Sequence, residues 1–204
     1  MKYRNRYVIR KVGFLLLMLM LLLPLLTATQ ATTTPGFSEY EVKAGFIYKF
    51  ISFVSWPTVL PDDNTITIGI LGKNPFGDAF KSVDGSTVGS RVVKIKFFSN
   101  DANYEQLKAC QILYISLSEE KRLKDILKAM DHSPTLTVGD SKGFVDKGGM
   151  LGFVGKENGR IGIAINSGAA SKARLTIRSM LKRIAIKVID GSDNTEEESR
   201  DNGK

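Results

Sequence analysis

Most of the chain alternates segments of helical periodicity with short apolar runs that are bounded by turn residues. The first segment places apolar side chains three and four residues apart from Val42 to Val54, and we assign Lys43 to another side of this helix. Ser38 is expected to cap the helix, and Pro57 to end it. Helices that alternate with apolar strands predict an α/β domain with a mixed, mostly parallel sheet covered on both faces.

The other elements are predicted from the same periodicities. Strands are expected over four apolar runs: 66–71, 92–98, 112–115 and 135–138. Helices are expected over three further segments: 76–83, 104–109 and 119–130. Two later apolar runs, 150–154 and 161–165, flank a polar turn and predict an antiparallel hairpin. Apolar residues spaced by three and four from Ile177 to Val188 predict one closing helix over residues 170–188.

The first 31 residues have the pattern of a secretory signal peptide, in which basic residues precede an apolar run and a short polar region. The apolar run, Gly13 to Leu26, is shorter than the roughly 20 residues that a membrane-spanning helix needs. We therefore expect export to the periplasm, no membrane insertion after cleavage, and one domain over residues 32–189. Residues 190–204 contain no apolar side chain and are expected to form a disordered tail.

Charge and composition argue against several classes of function. Loss of residues 1–31 removes five basic residues and lowers the formal net charge from +8 to +3, so charge gives no reason to expect nucleic-acid binding. Cys110 is the only cysteine, which excludes an intramolecular disulfide, and His132 is the only histidine. A catalytic triad or an ordinary metal site is not expected, and the glycine spacings match no nucleotide-binding loop. The sequence predicts a binding protein without a cofactor, not an enzyme.

Two groups of polar residues are candidate binding residues. Asp140 follows a predicted strand, where α/β proteins place ligand-contacting groups, and could line a small-molecule pocket with Asn166 and Arg174. Arg174, Arg178 and Lys182 recur every four residues along the predicted closing helix. Such a row could contact an acidic partner, a phosphate-bearing ligand or anionic lipid. The structural alternatives are a turn or capping role for Asp140 and a solvated helix face for the basic row.

A series of short motifs is distributed along the chain from residue 40 to residue 185. The first motif spans the opening helix, Tyr40-Glu-Val-Lys-Ala-Gly-Phe-Ile-Tyr-Lys-Phe50. The others follow in order: Phe53 with Trp56-Pro57; Ile70-Leu-Gly-Lys-Asn-Pro-Phe-Gly77; Cys110-Gln-Ile-Leu-Tyr-Ile-Ser116; Leu136-Thr-Val-Gly-Asp140 with Gly143-Phe144; Gly148-Gly-Met150; Ile165-Asn166 with Ala169-Ala170; and Leu175 to Ala185. In this combination the sequence resembles the YfiR family of small bacterial periplasmic proteins.

The resemblance implies a three-layer α/β/α fold, a homodimer and a regulatory function. The regulator would bind the periplasmic sensory domain of an inner-membrane diguanylate cyclase and restrain cyclic-di-GMP production and biofilm formation. The resemblance also suggests sensor kinases and outer-membrane receptors as membrane partners, and the sequence does not choose among them. The alternative function is a periplasmic small-molecule-binding protein, which could feed a sensor kinase.

The sequence departs from the family pattern where a partner or ligand would be expected to bind. The redox-sensitive disulfides of the namesake cannot form within a chain whose only cysteine is Cys110. Arg178 stands where the family often has a small hydroxyl residue, and Gly162-Ile163-Ala164 replaces a bulkier stretch. The partner could therefore differ from that of the namesake.

Overall fold

The computed structural model describes residues 37–57, 64–156 and 159–191. The predicted signal peptide and all but the beginning of the predicted tail lie outside these residues. The strands are β1 (Val54–Ser55), β2 (Thr65–Leu71), β3 (Thr87–Val88), β4 (Arg91–Phe98), β5 (Ile112–Ile115), β6 (Leu136–Gly139), β7 (Leu151–Gly155), β8 (Ile161–Asn166), β9 (Thr176–Ile177) and β10 (Lys187–Ile189). The α-helices are α1 (Glu39–Phe53), α2 (Tyr104–Lys108), α3 (Leu123–Ala129), α4 (Ser167–Lys172) and α5 (Ser179–Ile184), and a 3-10 helix, Leu117–Arg122, precedes α3.

Eight of the strands form one mixed sheet in the order β10-β8-β7-β6-β5-β2-β4-β3. Strands β4, β2, β5, β6 and β7 pair in parallel, and β8 returns antiparallel to β7 as the predicted hairpin requires. At the edges, β3 pairs antiparallel with β4 and β10 pairs parallel with β8. The mostly parallel sheet and the hairpin are confirmed.

Helices cover both faces of this sheet. On one face the buried side of α1 packs against a core that includes Ile70 and Tyr114. On the other face α2 and α3 pack against Leu71, Leu113 and Ile115. Consecutive residues of a strand point to opposite faces, which explains why Ile70 and Leu71 belong to different cores. The fold is therefore the expected three-layer α/β/α arrangement.

Helix α1 begins as predicted but ends earlier. The Ser38 hydroxyl accepts a hydrogen bond from the Glu41 N–H (3.3 Å), and the Glu41 carboxylate accepts one from the Ser38 N–H (2.6 Å). The helix ends at Phe53 instead of near Pro57, because Val54 and the next residue pair with β9. Its buried side consists of Lys43, Ala44, Ile47, Phe50 and Ile51, so the predicted placement of Lys43 is wrong.

The predicted closing helix over residues 170–188 is also wrong. This part of the chain forms the end of α4 and then β9, α5 and β10, with Arg174 in the left-handed backbone region at φ 60°. Ile177 pairs with Val54 of β1, and Val188 pairs with Ile165 of β8. Pairing with these distant strands replaces the helix that the local spacing of apolar residues predicts.

Two other predicted helices take a different form. Residues 76–83 form successive turns, in which Phe76 and Phe80 are buried. Residues 119–130 begin within the 3-10 helix, and α3 accounts only for the later part. The Ser118 hydroxyl does not cap a helix here, because it accepts a hydrogen bond from the Lys73 N–H (2.9 Å) in the loop after β2.

The crossover from β6 to β7 is packed around one aromatic ring. Phe144 is fully buried, and its ring lies against the backbone at both ends of the crossover. A Cβ atom at Gly139 would lie 2.4 Å from this ring, and a Cβ atom at Gly149 would lie 2.1 Å from it. Both distances are far below van der Waals contact, so the ring requires glycine at both positions.

Candidate functional site

The loop after β6 buries a carboxylate against α1. Oδ2 of Asp140 accepts hydrogen bonds from the Lys43 ammonium (2.8 Å) and the Tyr40 hydroxyl (3.1 Å). The side chains of Lys43 and Asp140 are each only 5% exposed, and Lys43 also contacts the Glu39 carboxylate at 2.6 Å. The Lys43 ammonium lies 4.5 Å from the centroid of the Tyr40 ring, a cation–π distance. Asp140 thus fastens α1 to the carboxyl end of β6.

Three groups of this cluster, Lys43, Tyr40 and Tyr114, keep one protonation state at neutral pH. Burial alone would lower the pKa of Lys43, but its hydrogen bonds to Asp140 and Glu39 outweigh burial and raise that pKa. Burial and the Asp140 carboxylate raise the pKa of Tyr40 and, far more strongly, the pKa of Tyr114. The lysine is therefore charged and both tyrosines are protonated, so none of the three is suited to exchange a proton during catalysis.

Two buried oxygen atoms in the cluster lack a hydrogen-bond partner among the described residues: Oδ1 of Asp140 and the hydroxyl of Tyr114. A cavity of about 380 Å³ lies beside Asp140. Its other lining residues are apolar, aromatic and charged and include Phe144, Val145, Phe153, Ile186, Lys142 and Lys187. Asn166 and Arg174 do not line this cavity, so the predicted pocket of three residues does not form as such.

Asn166 and Arg174 lie at the two ends of α4. Oδ1 of Asn166 caps the helix by accepting a hydrogen bond from the Ala169 N–H (2.8 Å), and Nδ2 donates to the Val145 carbonyl (3.0 Å). Arg174 follows the last turn and is exposed. The geometry gives Asn166 a structural role and separates it from Asp140.

The predicted basic row is not continuous. Arg178 precedes α5 and donates its backbone N–H to the Phe53 carbonyl (2.9 Å), whereas Lys182 lies within α5. Arg174 and Arg178 are exposed, and Lys182 is half-buried beside a small cavity of about 90 Å³. None of the three side chains forms an ion pair with another residue that the structure describes.

Exposed apolar side chains concentrate between residues 180 and 188. Four of them are between 38% and 59% exposed: Met180, Ile184, Ile186 and Val188. Basic residues accompany them, and the sequence has no Asp or Glu from residue 158 to residue 189. The four apolar residues, together with Arg178, Lys182, Arg183 and Lys187, are named here the basic apolar surface. Exposed apolar clusters with a polar surround are typical of protein–protein interfaces.

Neither the exposure of Ile184 and Val188 nor the burial of Lys43 was predicted from the sequence. The spacing of Ile184 and Val188 predicts the apolar side of a helix, although the lack of acidic residues around them indicates an unusual surface. Lys43 precedes Ile47 by four residues and Phe50 by seven, which is the spacing of one helix face. That spacing could have placed the ammonium group inside.

The usual ligand position of an open α/β sheet is filled in this protein. Such ligands bind where the strand order reverses, which here is between the carboxyl ends of β2 and β5. A Cβ atom at Gly72, directly after β2, would lie 2.3 Å from the Ser118 hydroxyl and 2.8 Å from a Glu119 carboxylate oxygen. The two loops are therefore in direct contact, and the cavity beside Asp140 lies farther along the sheet.

Neither a metal-binding cluster nor a membrane-spanning helix occurs in the part of the chain that the structure describes. Within residues 37–57, 64–156 and 159–191, His, Cys, Asp and Glu side chains form no group of three that could hold a metal ion. None of the helices in these ranges has both the length and the apolar character to span a bilayer.

Comparison with known proteins identifies a fold and a family. No curated protein sequence matches the chain. The crystal structure of a conserved domain protein from Vibrio cholerae O1 biovar El Tor strain N16961 matches with a TM-score of 0.53 and 15% identity. The match covers 74% of this chain and 60% of that one, so this chain spans less than two thirds of that protein, and the likeness concerns the fold alone. The profile of the YfiR/HmsC-like family matches residues 40–186, and the chain therefore belongs to the YfiR/HmsC-like family.

Proposed function

We propose that the protein is a periplasmic regulator that binds the periplasmic domain of an inner-membrane signalling protein and has no enzymatic activity. The observation that carries this proposal is the basic apolar surface, and membership of the YfiR/HmsC-like family supports it. The expected partner is a diguanylate cyclase, whose cyclic-di-GMP production and effect on biofilm formation the protein would repress. A sensor kinase is the alternative membrane partner.

The composition of the surface defines the kind of partner that fits it. Exposed apolar residues such as Ile184 would supply the water-excluding centre of the contact. Basic residues such as Arg178 and Arg183 would attract a sensory domain that carries carboxylates and would raise its association rate. Regulation requires tighter binding to the inactive state of the partner than to the active state, because only a difference in affinity shifts the equilibrium.

A binding experiment with charge-reversal variants tests this surface. The purified protein is titrated with the periplasmic domains of the sensors encoded beside its gene. Arg178→Glu/Arg183→Glu is compared with Lys94→Glu/Lys96→Glu, which reverses two exposed charges on β4, towards the other edge of the sheet. We expect the first variant to weaken binding about tenfold or more and the second to have little effect.

The outcomes separate the surface from the function. An equal loss of affinity in both variants would mean that the electrostatic attraction is not specific to one part of the protein. It would refute the assignment of binding to the basic apolar surface. Failure of the unchanged protein to bind any linked sensory domain would refute the regulatory function. In cells, deletion of the gene should raise cyclic-di-GMP and surface attachment, and restoration should reverse both. The homodimer stays a prediction, which light scattering on the purified protein tests.

A second candidate function is small-molecule binding. The observation that favours it is the cavity of about 380 Å³ beside Asp140, which apolar, aromatic and charged residues line together. A ligand with a hydrogen-bond donor and an apolar body would match this lining. A thermal-shift screen tests the idea, because a specific ligand raises the melting temperature by mass action. The variant Val154→Trp, at an exposed lining residue, should abolish the shift.

A further inference from the structure

A cleft between α3 and α4 is lined by four lysines. Its volume is about 480 Å³, and Lys124 and Lys128 line it from α3, Lys172 from α4 and Lys147 from the crossover between β6 and β7. These four residues are named here the lysine cleft. The cleft shares the lining residue Asp146 with the cavity beside Asp140, contains no residue of α5, and has lysines that neither proposed function uses.

The charges that line the cleft are only partly compensated. Lys147 is held by Glu120 at 2.5 Å, and the lining residue Asp146 is held by Lys187 at 2.5 Å. Two other carboxylates, Asp131 and Asp190, also line the cleft. The remaining lysines, Lys124, Lys128 and Lys172, form no ion pair with any residue that the structure describes. Three ammonium groups from two helices are thus available to an anionic segment.

The chain itself supplies such a segment directly after the cleft. Asp190 and Gly191 line the cleft, and Gly191 touches α4 so closely that a Cβ atom on Gly168 would lie 2.7 Å from the Gly191 Cα atom. Residues 193–201 carry five carboxylates and one arginine, with three consecutive glutamates from Glu196 to Glu198. At about 3.5 Å per extended residue, these glutamates can reach every part of the cleft.

We propose that the lysine cleft binds an acidic peptide segment and that its occupant is the acidic segment of the same chain, residues 193–201. Exposed ion pairs of this kind are individually weak. The short connection nevertheless gives the segment an effective concentration in the millimolar range, which compensates for low affinity. Because the pairs are solvent-exposed, high salt weakens the contact.

Zero-length carbodiimide cross-linking of the purified protein tests the proposal. The reagent joins a carboxylate to an ammonium group only when the two are in contact. We expect cross-links from Glu196, Glu197 or Glu198 to the three unpaired cleft lysines at low salt, and their loss at high salt. Mixing isotopically labelled and unlabelled protein distinguishes contacts within one chain from contacts between chains. Cross-links only between chains, or mainly to Lys94 and Lys96, would overturn the proposal.

Lysine acetylation gives a second readout that depends on no activity. In the variant Glu196→Gln/Glu197→Gln/Glu198→Gln, the acetylation rates of the three cleft lysines should rise about threefold, as expected if roughly two thirds of the cleft is occupied. Lys94 and Lys96 serve as controls and should keep their rates. Unchanged rates at the cleft lysines overturn the proposal. Unchanged acetylation rates in the variant, together with slower acetylation of the cleft lysines when inorganic phosphate is added, would assign the cleft to a small anion instead.

Discussion

The Nζ atom of Lys43 lies 2.8 Å from Oδ2 of Asp140, and this pair joins α1 to the loop after β6 across 97 positions of the sequence. Each charge is almost completely removed from water, so each depends on the other for compensation. Asp140 also lines the cavity of about 380 Å³, so a residue with a structural role belongs to a candidate binding site as well.

Breaking this pair from one side should be costly. The variant Lys43→Met leaves the Asp140 carboxylate buried without its main partner, and we expect a loss of about 3–5 kcal/mol in the free energy of unfolding. The double variant Lys43→Met/Asp140→Asn should lose less, because no unpaired charge stays inside. Urea unfolding followed by circular dichroism measures both. Lys49→Met is the control, since Lys49 is exposed on the same helix, and a loss there as large as that of Lys43→Met would contradict the explanation.

The fit of Phe144 against two glycines predicts a second set of effects. Gly149→Ala should destabilise the protein by about 1–3 kcal/mol or more, because its Cβ atom would overlap the Phe144 ring. Gly155→Ala on β7 is the control, since no atom lies within 4 Å of the added Cβ atom. Adding Phe144→Leu to Gly149→Ala should recover part of the loss. Equal effects of the two alanine variants would show that backbone freedom, and not the ring, determines the result.

Burial of the Cys110 thiol predicts that it reacts slowly with alkylating reagents. It also predicts that the free energy of unfolding falls at alkaline pH. Burial raises the pKa of this thiol from 9.0 to about 11, so the native protein should react slowly with iodoacetamide at pH 8. Between pH 9.0 and about 11 the unfolded state loses the proton first, and stability therefore falls as the pH rises. The contribution of Lys43, whose pKa is also raised, is complete below its ordinary value of 10.5 and is lost as the pH rises from there through the folded pKa.

The variant Cys110→Ala separates these two contributions. It should be less stable at neutral pH, because it removes a buried side chain, but its stability should fall less steeply as the pH rises from 9.0. Chemical unfolding at several pH values measures the slope. Identical slopes in the variant and the unchanged protein would mean that the thiol does not titrate in this window.

Apolar residues of the basic apolar surface should matter for binding and little for folding. Ile184 is 59% exposed, so Ile184→Ser should change the free energy of unfolding by no more than about 0.5 kcal/mol. We expect the same variant to weaken binding of the sensory domain about tenfold. The matched control is Phe97→Ser, which removes an equally exposed apolar side chain from β4. Calorimetry measures the affinities, and an equal loss in the control would argue against a specific surface.

The central strands could be predicted because their sequence signal is local. Runs such as Ile112 to Ile115 are buried on both faces, and turn residues bound them in the sequence. Two of the family motifs, Cys110 to Ser116 and Leu136 to Asp140, contain central strands, and the resemblance implies the three-layer arrangement. Capping by Ser38 is local as well, since it involves only the neighbouring Glu41.

The end of the described chain could not be predicted in the same way. Ile177 and Val188 follow a helical spacing, but each is paired with a strand that is far away in the sequence. Arg174 takes a left-handed conformation, which glycine or asparagine would have indicated and arginine does not. For this reason Arg174, Arg178 and Lys182 do not form one row along a helix. Arg178 and Lys182 instead belong to the basic apolar surface.

The contacts of helix α1 determine when this helix can reach its final position during synthesis of the chain. Its early part is secured by Asp140, and its end is secured by the pairing of Val54 with Ile177. A chain that emerges from its amino end cannot complete either attachment until its last third is present. The same late segment carries the basic apolar surface, so an incomplete chain would lack both a secured first helix and this surface. Any binding through the surface would therefore require a molecule whose synthesis and folding are finished.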